Sequence, residues 1–227
     1  MKFFEAVERR RSVRLYTSEL VPAQVVDKAI DAALLAPNSS NMQTWRIYRV
    51  KSNDKKKSLI EACLDQGAAR TAAELLVFVA DAATWKVAQK AIIASIEDNP
   101  RKDLHTYYKK LMPVLYGWRI LAPLKWLGLN FIGLIRPTPR GPWSSRDISE
   151  VCIKSCALAC ENFMLAVAAQ DFDTCPMEGF DEARVRRILN LGHRARVVMV
   201  ISVGRRDPRG IWGERFRLPR GTVVSTI

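Results

Sequence analysis

Leu75-Leu76-Val77-Phe78-Val79-Ala80 is a continuous apolar run with the length of a β-strand. A run without polar alternation indicates a strand that is buried on both faces at the centre of a sheet. A second run of this kind spans 197–203 and ends at Gly204, and a shorter strand pattern covers 46–50. The sequence therefore predicts a sheet with at least two buried strands.

Helical patterns separate the predicted strands. Apolar residues recur at helical spacing from Val25 to Leu34, after a proline that suits a first helical turn. We expect further helices over 2–10, 55–63, 85–98, 148–169 and 181–189. Few strands among more numerous helices predict an α+β or α/β layered domain. The irregular tail is expected to end in a strand over 222–227.

Composition narrows the class of protein. The 227 residues are 48% hydrophobic and 26% charged, which is typical of a folded chain with one sizeable core. Five cysteines, an odd number without regular disulfide spacing, indicate a reducing compartment, and the first residues show no secretory pattern. We therefore expect a cytoplasmic location. The net charge of +13 favours anionic partners, including phosphates.

The first candidate for chemistry is Arg10-Arg11-Ser12-Val13-Arg14, where the first predicted helix ends. Guanidinium groups bind phosphate through planar, bidentate, charge-assisted hydrogen bonds, and a serine hydroxyl adds a donor. A basic cluster at a helix end is also commonly a solvated face. By itself the cluster leaves both interpretations open.

Two further segments are candidates. Residues 37–45, Pro-Asn-Ser-Ser-Asn-Met-Gln-Thr-Trp, carry amides and hydroxyls that could satisfy the edge of a flat heterocycle, or simply form a polar loop before a core tryptophan. Residues 175–181, Cys-Pro-Met-Glu-Gly-Phe-Asp, could bring backbone close to a cofactor, because proline is rigid and glycine permits close approach. The alternative is an ordinary loop before a helix that Asp181 caps.

Taken together, the three segments resemble the FMN-dependent nitroreductase family. The resemblance covers about 3–83 and 148–220, with Thr44 where the family often has proline. It implies an α+β fold with a central, mostly antiparallel sheet flanked by helices, in a domain-swapped homodimer with FMN at the subunit interface. It also implies a single domain over 1–227 with an inserted helical lid or cap at about 84–147.

The resemblance assigns site residues by their match to the family's motifs. Arg10, Arg11, Ser12 and Arg14 would contact the phosphate, ribityl chain and pyrimidine edge, with Arg70 near the pyrimidine. Arg215 and Arg217 would bind the phosphate. The loop of the partner subunit would supply Asn38, Ser39, Asn41 and Gln43. The flavin ring would lie beneath Pro176, Met177, Glu178 and Gly179, with a backbone N–H near Glu178 donating to N5.

The implied activity is hydride transfer from NADH or NADPH, through FMN, to a nitroaromatic, quinone or similar small acceptor by a ping-pong route. The surplus of arginine favours NADPH. Deiodination, flavin fragmentation and enone reduction are equally compatible with the resemblance. The flavin carries the redox chemistry, so no side-chain acid or base is required, and His105 and His193 are expected to be structural or exposed. Arg14 or Arg70 would stabilise negative charge on the reduced flavin.

A different class of function is a non-enzymatic basic protein that binds nucleic acid or an anionic membrane surface. No helix-turn-helix, zinc-finger or RNA-binding motif is apparent, so we expect no nucleic-acid partner. No metal-ligand spacing occurs either. Cys152, Cys156 and Cys160 recur on one helix face, which indicates a packing contact.

The segment from Leu104 to Arg146 contains no acidic residue. Its apolar part, 111–135, is too interrupted to span a membrane, because Arg119, Lys125 and two prolines fall within it. Three interpretations remain. The segment is a lid whose Trp118 or Trp126 stacks on a planar substrate, a peripheral membrane contact through 107–141, or extra helices packed on the core.

Overall fold

The computed structural model describes residues 2–117, 121–142 and 144–227. Helices and strands alternate irregularly along this part of the chain. The helices are α1 Phe3–Arg9, α2 Ala23–Leu34, α3 Asn53–Ala62, α4 Gly67–Arg70, α5 Trp85–Ser95, α6 Lys102–Thr106, α7 Ala122–Ile135, α8 Ser145–Ala169, α9 Glu182–Ile188 and α10 Arg220–Val223. The strands are β1 Trp45–Arg49, β2 Glu74–Asp81, β3 Asp173–Met177 and β4 Ala195–Gly204.

The strands form one sheet of order β1-β2-β4-β3 in which every neighbouring pair is antiparallel. The two runs that are apolar without alternation, β2 and β4, are the central strands, as predicted. Their register pairs Leu76 with Ile201 and Val77 with Val200. The predicted α+β fold with a central antiparallel sheet is confirmed.

Each face of the sheet carries its own core, because side chains alternate along a strand. On one face Phe78 packs edge-on against Phe163 of α8, with 5.4 Å between ring centroids, and α2 covers this layer. On the other face Val77 packs with Leu59 of α3 and Val185 of α9. The sheet is therefore buried on both sides, which explains why its central strands are continuously apolar.

Helix α8 is the one helix in the described residues that is long and apolar enough to cross a membrane. Half of the most apolar stretch of α8 is buried inside the protein. Because α8 also packs against α2 and the sheet, it is a core helix. Its three cysteines, Cys152, Cys156 and Cys160, are all buried, as the packing interpretation predicts.

Two predictions of local structure are wrong. Residues 175–177, predicted as part of a loop, belong to the edge strand β3, which the pattern hid because Pro176 cannot donate to a ladder. The predicted terminal strand over 222–227 is replaced by one helical turn, α10, followed by exposed residues. Trp118, predicted to stack on a substrate, and Arg119, which interrupts the apolar part of the segment, lie outside the described residues.

Candidate functional site

Residues 10–14, here called the arginine segment, run alongside the edge strand β3. Ser12 forms a parallel bridge with Thr174, and the amide of Val13 donates to the Thr174 carbonyl at 3.0 Å. The amide of Arg14 donates to the carbonyl of Gly210 at 2.8 Å. Val13 is fully buried, and in an extended segment the neighbouring side chains point the other way. The flanking side chains of Ser12 and Arg14 are therefore directed away from the core.

The C-terminal arginines meet this segment from the other end of the chain. Arg215 donates to the carbonyls of Glu8 at 2.6 Å and of Arg10 at 2.5 Å. Arg11 donates to the carbonyl of Gly213 at 2.9 Å. Together the two segments enclose a cavity of about 180 Å³, here called the arginine pocket, lined by Arg10, Arg11, Ser12, Arg14, Trp212, Glu214, Arg215, Phe216 and Arg217.

The arginine pocket carries an excess of positive charge. It collects five guanidinium groups around one carboxylate, Glu214. Partial burial lowers the pKa of Arg215, and the nearby cations Arg11, Arg217 and Arg10 lower it further. Like charges held this close disfavour one another, so an anion bound between them would relieve the repulsion. The donor set and the charge fit a phosphate group.

One thiol lies close to this positive field. Burial raises the pKa of Cys175, and Arg14 and Arg10 oppose that shift only in part. The side chain therefore stays a protonated thiol at neutral pH and packs as a small apolar group.

The segment after β3 and the helix α4 border the arginine segment. Gln66, just before α4, donates to the carbonyl of Gly179 at 2.6 Å. A Cβ on Gly67 would lie 2.8 Å from the carbonyl oxygen of Arg14, so α4 packs directly on the arginine segment. Arg70 ends this helix with an exposed side chain. The structure thus places α4, the helix that ends at Arg70, against the arginine segment, and Gly179 against the residue before α4.

The remaining predicted residues lie elsewhere. Asn38, Ser39, Asn41 and Gln43 precede β1, at the sheet edge opposite β3. The two edge strands are three spacings of about 4.8 Å apart, so about 14 Å separates them. Within the described part of one chain, this loop is not brought to the arginine pocket.

The loop before β1 has a defined conformation. Ser40, Asn41 and Gln43 adopt positive φ angles of 55°, 55° and 44°. The turn is held by the Gln43 amide, which donates to the Asn38 side chain at 2.8 Å, and by the Ser39 amide, which donates to the Ser155 hydroxyl at 3.3 Å. Such strained backbone persists where the surroundings fix it and is concentrated at functional sites.

Sequence reasoning missed several residues of the pocket. Trp212 lies under the Arg14 guanidinium, 4.3 Å from guanidinium carbon to ring centroid, which is a cation–π contact. Glu214 and Phe216 complete the wall. No periodicity or spacing marks these positions, because they lie in an irregular segment whose course depends on its contacts with the N-terminus.

The histidines are remote from this arrangement, as expected. His105 contacts the Asn99 carbonyl at 2.9 Å, and both His105 and His193 lie outside the arginine pocket. In the residues that the structure describes, no group of three or more His, Cys, Asp and Glu side chains is placed to hold a metal.

The close approach of Gly210 to the arginine segment gives a testable prediction. A Cβ at this position would lie 2.4 Å from the carbonyl oxygen of Leu15 and 2.9 Å from its nitrogen. We expect Gly210→Ala to displace the arginine segment and lower the free energy of unfolding by about 1–3 kcal/mol. Gly192→Ala, where nothing lies within 4 Å, is the control for chemical denaturation. Equal stability of the two variants would show that the close approach of Gly210 does not hold the arginine segment in place.

A family model, a sequence relative and a solved structure each match most of this chain. The model of the Nitroreductase family matches residues 7–205. A protein of Thermus thermophilus named NADH dehydrogenase is 28% identical, with 95% of this chain and 92% of that protein covered. Among solved structures, the Bacillus subtilis protein ydfN, described as a nitroreductase, has a TM-score of 0.80 at 23% identity and covers 99% and 98%.

A protein of Exiguobacterium sibiricum, described as a nitroreductase and crystallised with FMN, has a TM-score of 0.74 at 20% identity and covers 100% and 98%. These structural likenesses show that the fold is shared. The family match extends over most of the chain and includes the arginine segment and β3. This chain belongs to the Nitroreductase family.

Proposed function

We propose that this oxidoreductase binds the phosphate of FMN in the arginine pocket and uses NAD(P)H to reduce a nitroaromatic, a quinone or a similar small acceptor. The main support for this proposal is that five predicted arginines, from two segments about 200 residues apart, line one cavity. FMN, when bound, supplies the hydride-transfer chemistry. The relative from Thermus is named for NADH, and the Exiguobacterium structure contains FMN.

The chain's own residues would bind and orient the cofactor. Arg11, Arg215 and Arg217 offer charge-assisted donors to a phosphate dianion, and Ser12 adds a hydroxyl. Arg14 is held in place by Trp212, and Arg70 lies on the adjoining helix. We assign these two cations to the pyrimidine edge, where they would favour the negative charge that accompanies reduction. The Pro176–Gly179 segment would cover the ring, with a backbone N–H near Glu178 directed at N5.

We further propose that the site is completed by a second copy of the chain. The Asn38–Gln43 loop lies at the far edge of the sheet, so one chain by itself does not combine it with the arginine pocket. Large apolar side chains are exposed on α1, α8 and the tail, namely Phe3, Phe4, Leu158, Phe216, Leu218 and Val223. Exposed apolar surface of this extent indicates a subunit contact. A homodimer in which the tail is exchanged would cover it.

The segment over 84–147 is proposed to control access to the flavin. Its described part is mostly helical, with α5, α6, two π-helical turns at Tyr107–Leu111 and Pro113–Gly117, and α7. The Tyr107 hydroxyl is 2.7 Å from the hydroxyl of Ser40, in the loop assigned to the cofactor. Burial raises the pKa of Tyr116, which also bonds to the Ser39 side chain. A movement of the 84–147 segment would therefore displace Ser39 and Ser40 in the loop before β1.

Flavin binding and reduction test the proposal. Purified protein incubated with FMN and desalted is expected to be yellow with about one FMN per chain, and anaerobic NADH or NADPH should bleach it in a stopped-flow instrument. The ratio of kcat/KM for the two nucleotides then identifies the reductant, and a panel of nitroaromatics and quinones identifies the acceptor class. A colourless protein that FMN cannot reconstitute would contradict the proposed cofactor. A yellow protein that neither nucleotide bleaches would contradict the proposed reductant alone.

A further inference from the structure

We propose that the outer face of α7 docks this protein onto an anionic membrane surface, lying in the plane of the lipid headgroups. Helix α7 belongs to the 84–147 segment, but the docking does not depend on whether the flavin site is as proposed. Helix α7 consists mostly of apolar residues, and none of its residues is buried. A helix on the surface of a water-soluble protein normally turns its polar face outward. Helix α7 instead exposes large apolar side chains.

The exposed stripe on α7 is apolar along its whole length. Leu124, Leu127, Phe131, Leu134 and Ile135 follow helical spacing on one side, and their exposure ranges from 61% for Leu127 to 79% for Leu134. The half-buried positions of α7 are 122, 125, 129, 130, 132 and 133, and they lie away from this stripe. Contiguous exposed apolar surface of this kind marks an interaction site.

The charge around the stripe indicates what covers it. No acidic residue occurs between 104 and 146, whereas Lys109, Lys110, Arg136 and Arg140 are exposed. Arg140 folds back on α7, where it donates to the Asn130 side chain at 2.8 Å and to the Gly133 carbonyl at 3.1 Å. Cations beside an apolar stripe complement anionic headgroups above an apolar acyl layer.

The dimensions fit a helix that lies on the membrane rather than one that crosses it. Helix α7 has 14 residues. At about 1.5 Å per residue it is about 21 Å long, which is shorter than the roughly 30 Å hydrocarbon core.

A second α7 fits this surface less well. If α7 lay on the two-fold axis of a symmetric dimer, the same segment of both subunits would meet there. Two acid-free segments would then face each other with cations on both sides and no carboxylate from either segment to pair with them. Anionic lipid supplies the missing negative charge.

Vesicle flotation tests this proposal on the full chain. The wild-type protein is expected to float with vesicles that contain phosphatidylglycerol and to stay at the bottom with pure phosphatidylcholine, and added salt should weaken binding. Leu127→Glu with Leu134→Glu should lower the bound fraction about tenfold. Leu20→Glu, at a residue that is also exposed but lies outside α7, is the control and should float like the wild type.

Three results would contradict membrane docking through α7. Wild-type protein that fails to float with anionic vesicles overturns the proposal without any variant, as does a double variant that floats as well as the wild type. Sedimentation velocity without lipid tests whether a second copy of the chain covers the stripe instead. If the double variant has a lower oligomeric mass than the wild type, the stripe is a contact between copies, and membrane docking through it is wrong.

Discussion

Replacing Arg11 and Arg217 together with alanine is expected to raise the Kd for FMN by about a hundredfold or more. A hydrogen bond to a charged group contributes on the order of 1.5–3 kcal/mol, and about 1.4 kcal/mol corresponds to a tenfold change in Kd. Both side chains line the arginine pocket and neither belongs to a core cluster, so the fold should persist. Fluorescence titration of FMN against the apoprotein measures the effect.

A control of equal charge separates a specific phosphate contact from general attraction. Arg184→Ala with Arg187→Ala removes the same two charges from α9, which does not line the arginine pocket. This control should keep wild-type affinity. Arg11→Lys with Arg217→Lys should be intermediate, because it keeps the charge and loses the planar fork. Equal affinity of the alanine variant and the wild type would show that the phosphate binds elsewhere.

The second large effect is expected at Asp173, which joins β3 to Arg206 and faces Arg9 at the end of α1. Its carboxylate is 3% exposed and accepts hydrogen bonds from the Arg206 amide at 3.0 Å and from Arg206 Nε at 2.9 Å, with Arg9 Nη2 3.8 Å away. Removal of one partner of a buried ion pair costs about 3–5 kcal/mol. Because the Arg206 side chain is 28% exposed, we expect Asp173→Ala to lower the free energy of unfolding by the lower value, about 3 kcal/mol.

Chemical denaturation with a neighbouring control checks the effect at Asp173. Asp171 also faces Arg9, at 3.7 Å, but its side chain is 66% exposed. Asp171→Asn keeps a residue that tolerates the positive φ of this position, and its stability should change by less than about 1 kcal/mol. A similarly small change in Asp173→Ala would mean that the buried carboxylate is not what anchors α1 and the segment that follows it.

The sequence predicted those parts of the fold that leave a strong local pattern. The strands β2 and β4 are buried on both faces, so each is a continuous apolar run that composition alone reveals. The edge strand β3 is short, contains Pro176 and pairs along its length with β4, so it has neither the length nor the alternation of a typical strand. The tail, 212–227, lacks a pattern because its contacts lie about 200 residues away in the chain.

The arginines of the candidate site were predictable from the sequence, whereas the rest of its lining and its geometry were not. The motif resemblance selected Arg10, Arg11, Arg14, Arg215 and Arg217, and the structure brings these five together. It could not reveal Trp212, whose position depends on stacking against Arg14. Nor could it show how the Tyr107 hydroxyl in the inserted segment reaches Ser40, because that contact joins residues that are 67 positions apart in the sequence.

The most direct test of the shared FMN site is the flavin content of mixed dimers. One parent carries Arg11→Ala with Arg217→Ala, and the other carries Asn41→Gly with Gln43→Gly, where glycine suits the positive φ angles. Each parent alone should retain little FMN. Differently tagged subunits, purified as a mixed dimer, should bind one FMN per dimer with wild-type affinity, because one site then combines two intact halves. Mixed dimers that bind no better than their parents would contradict the account, because each chain would then form its FMN site by itself.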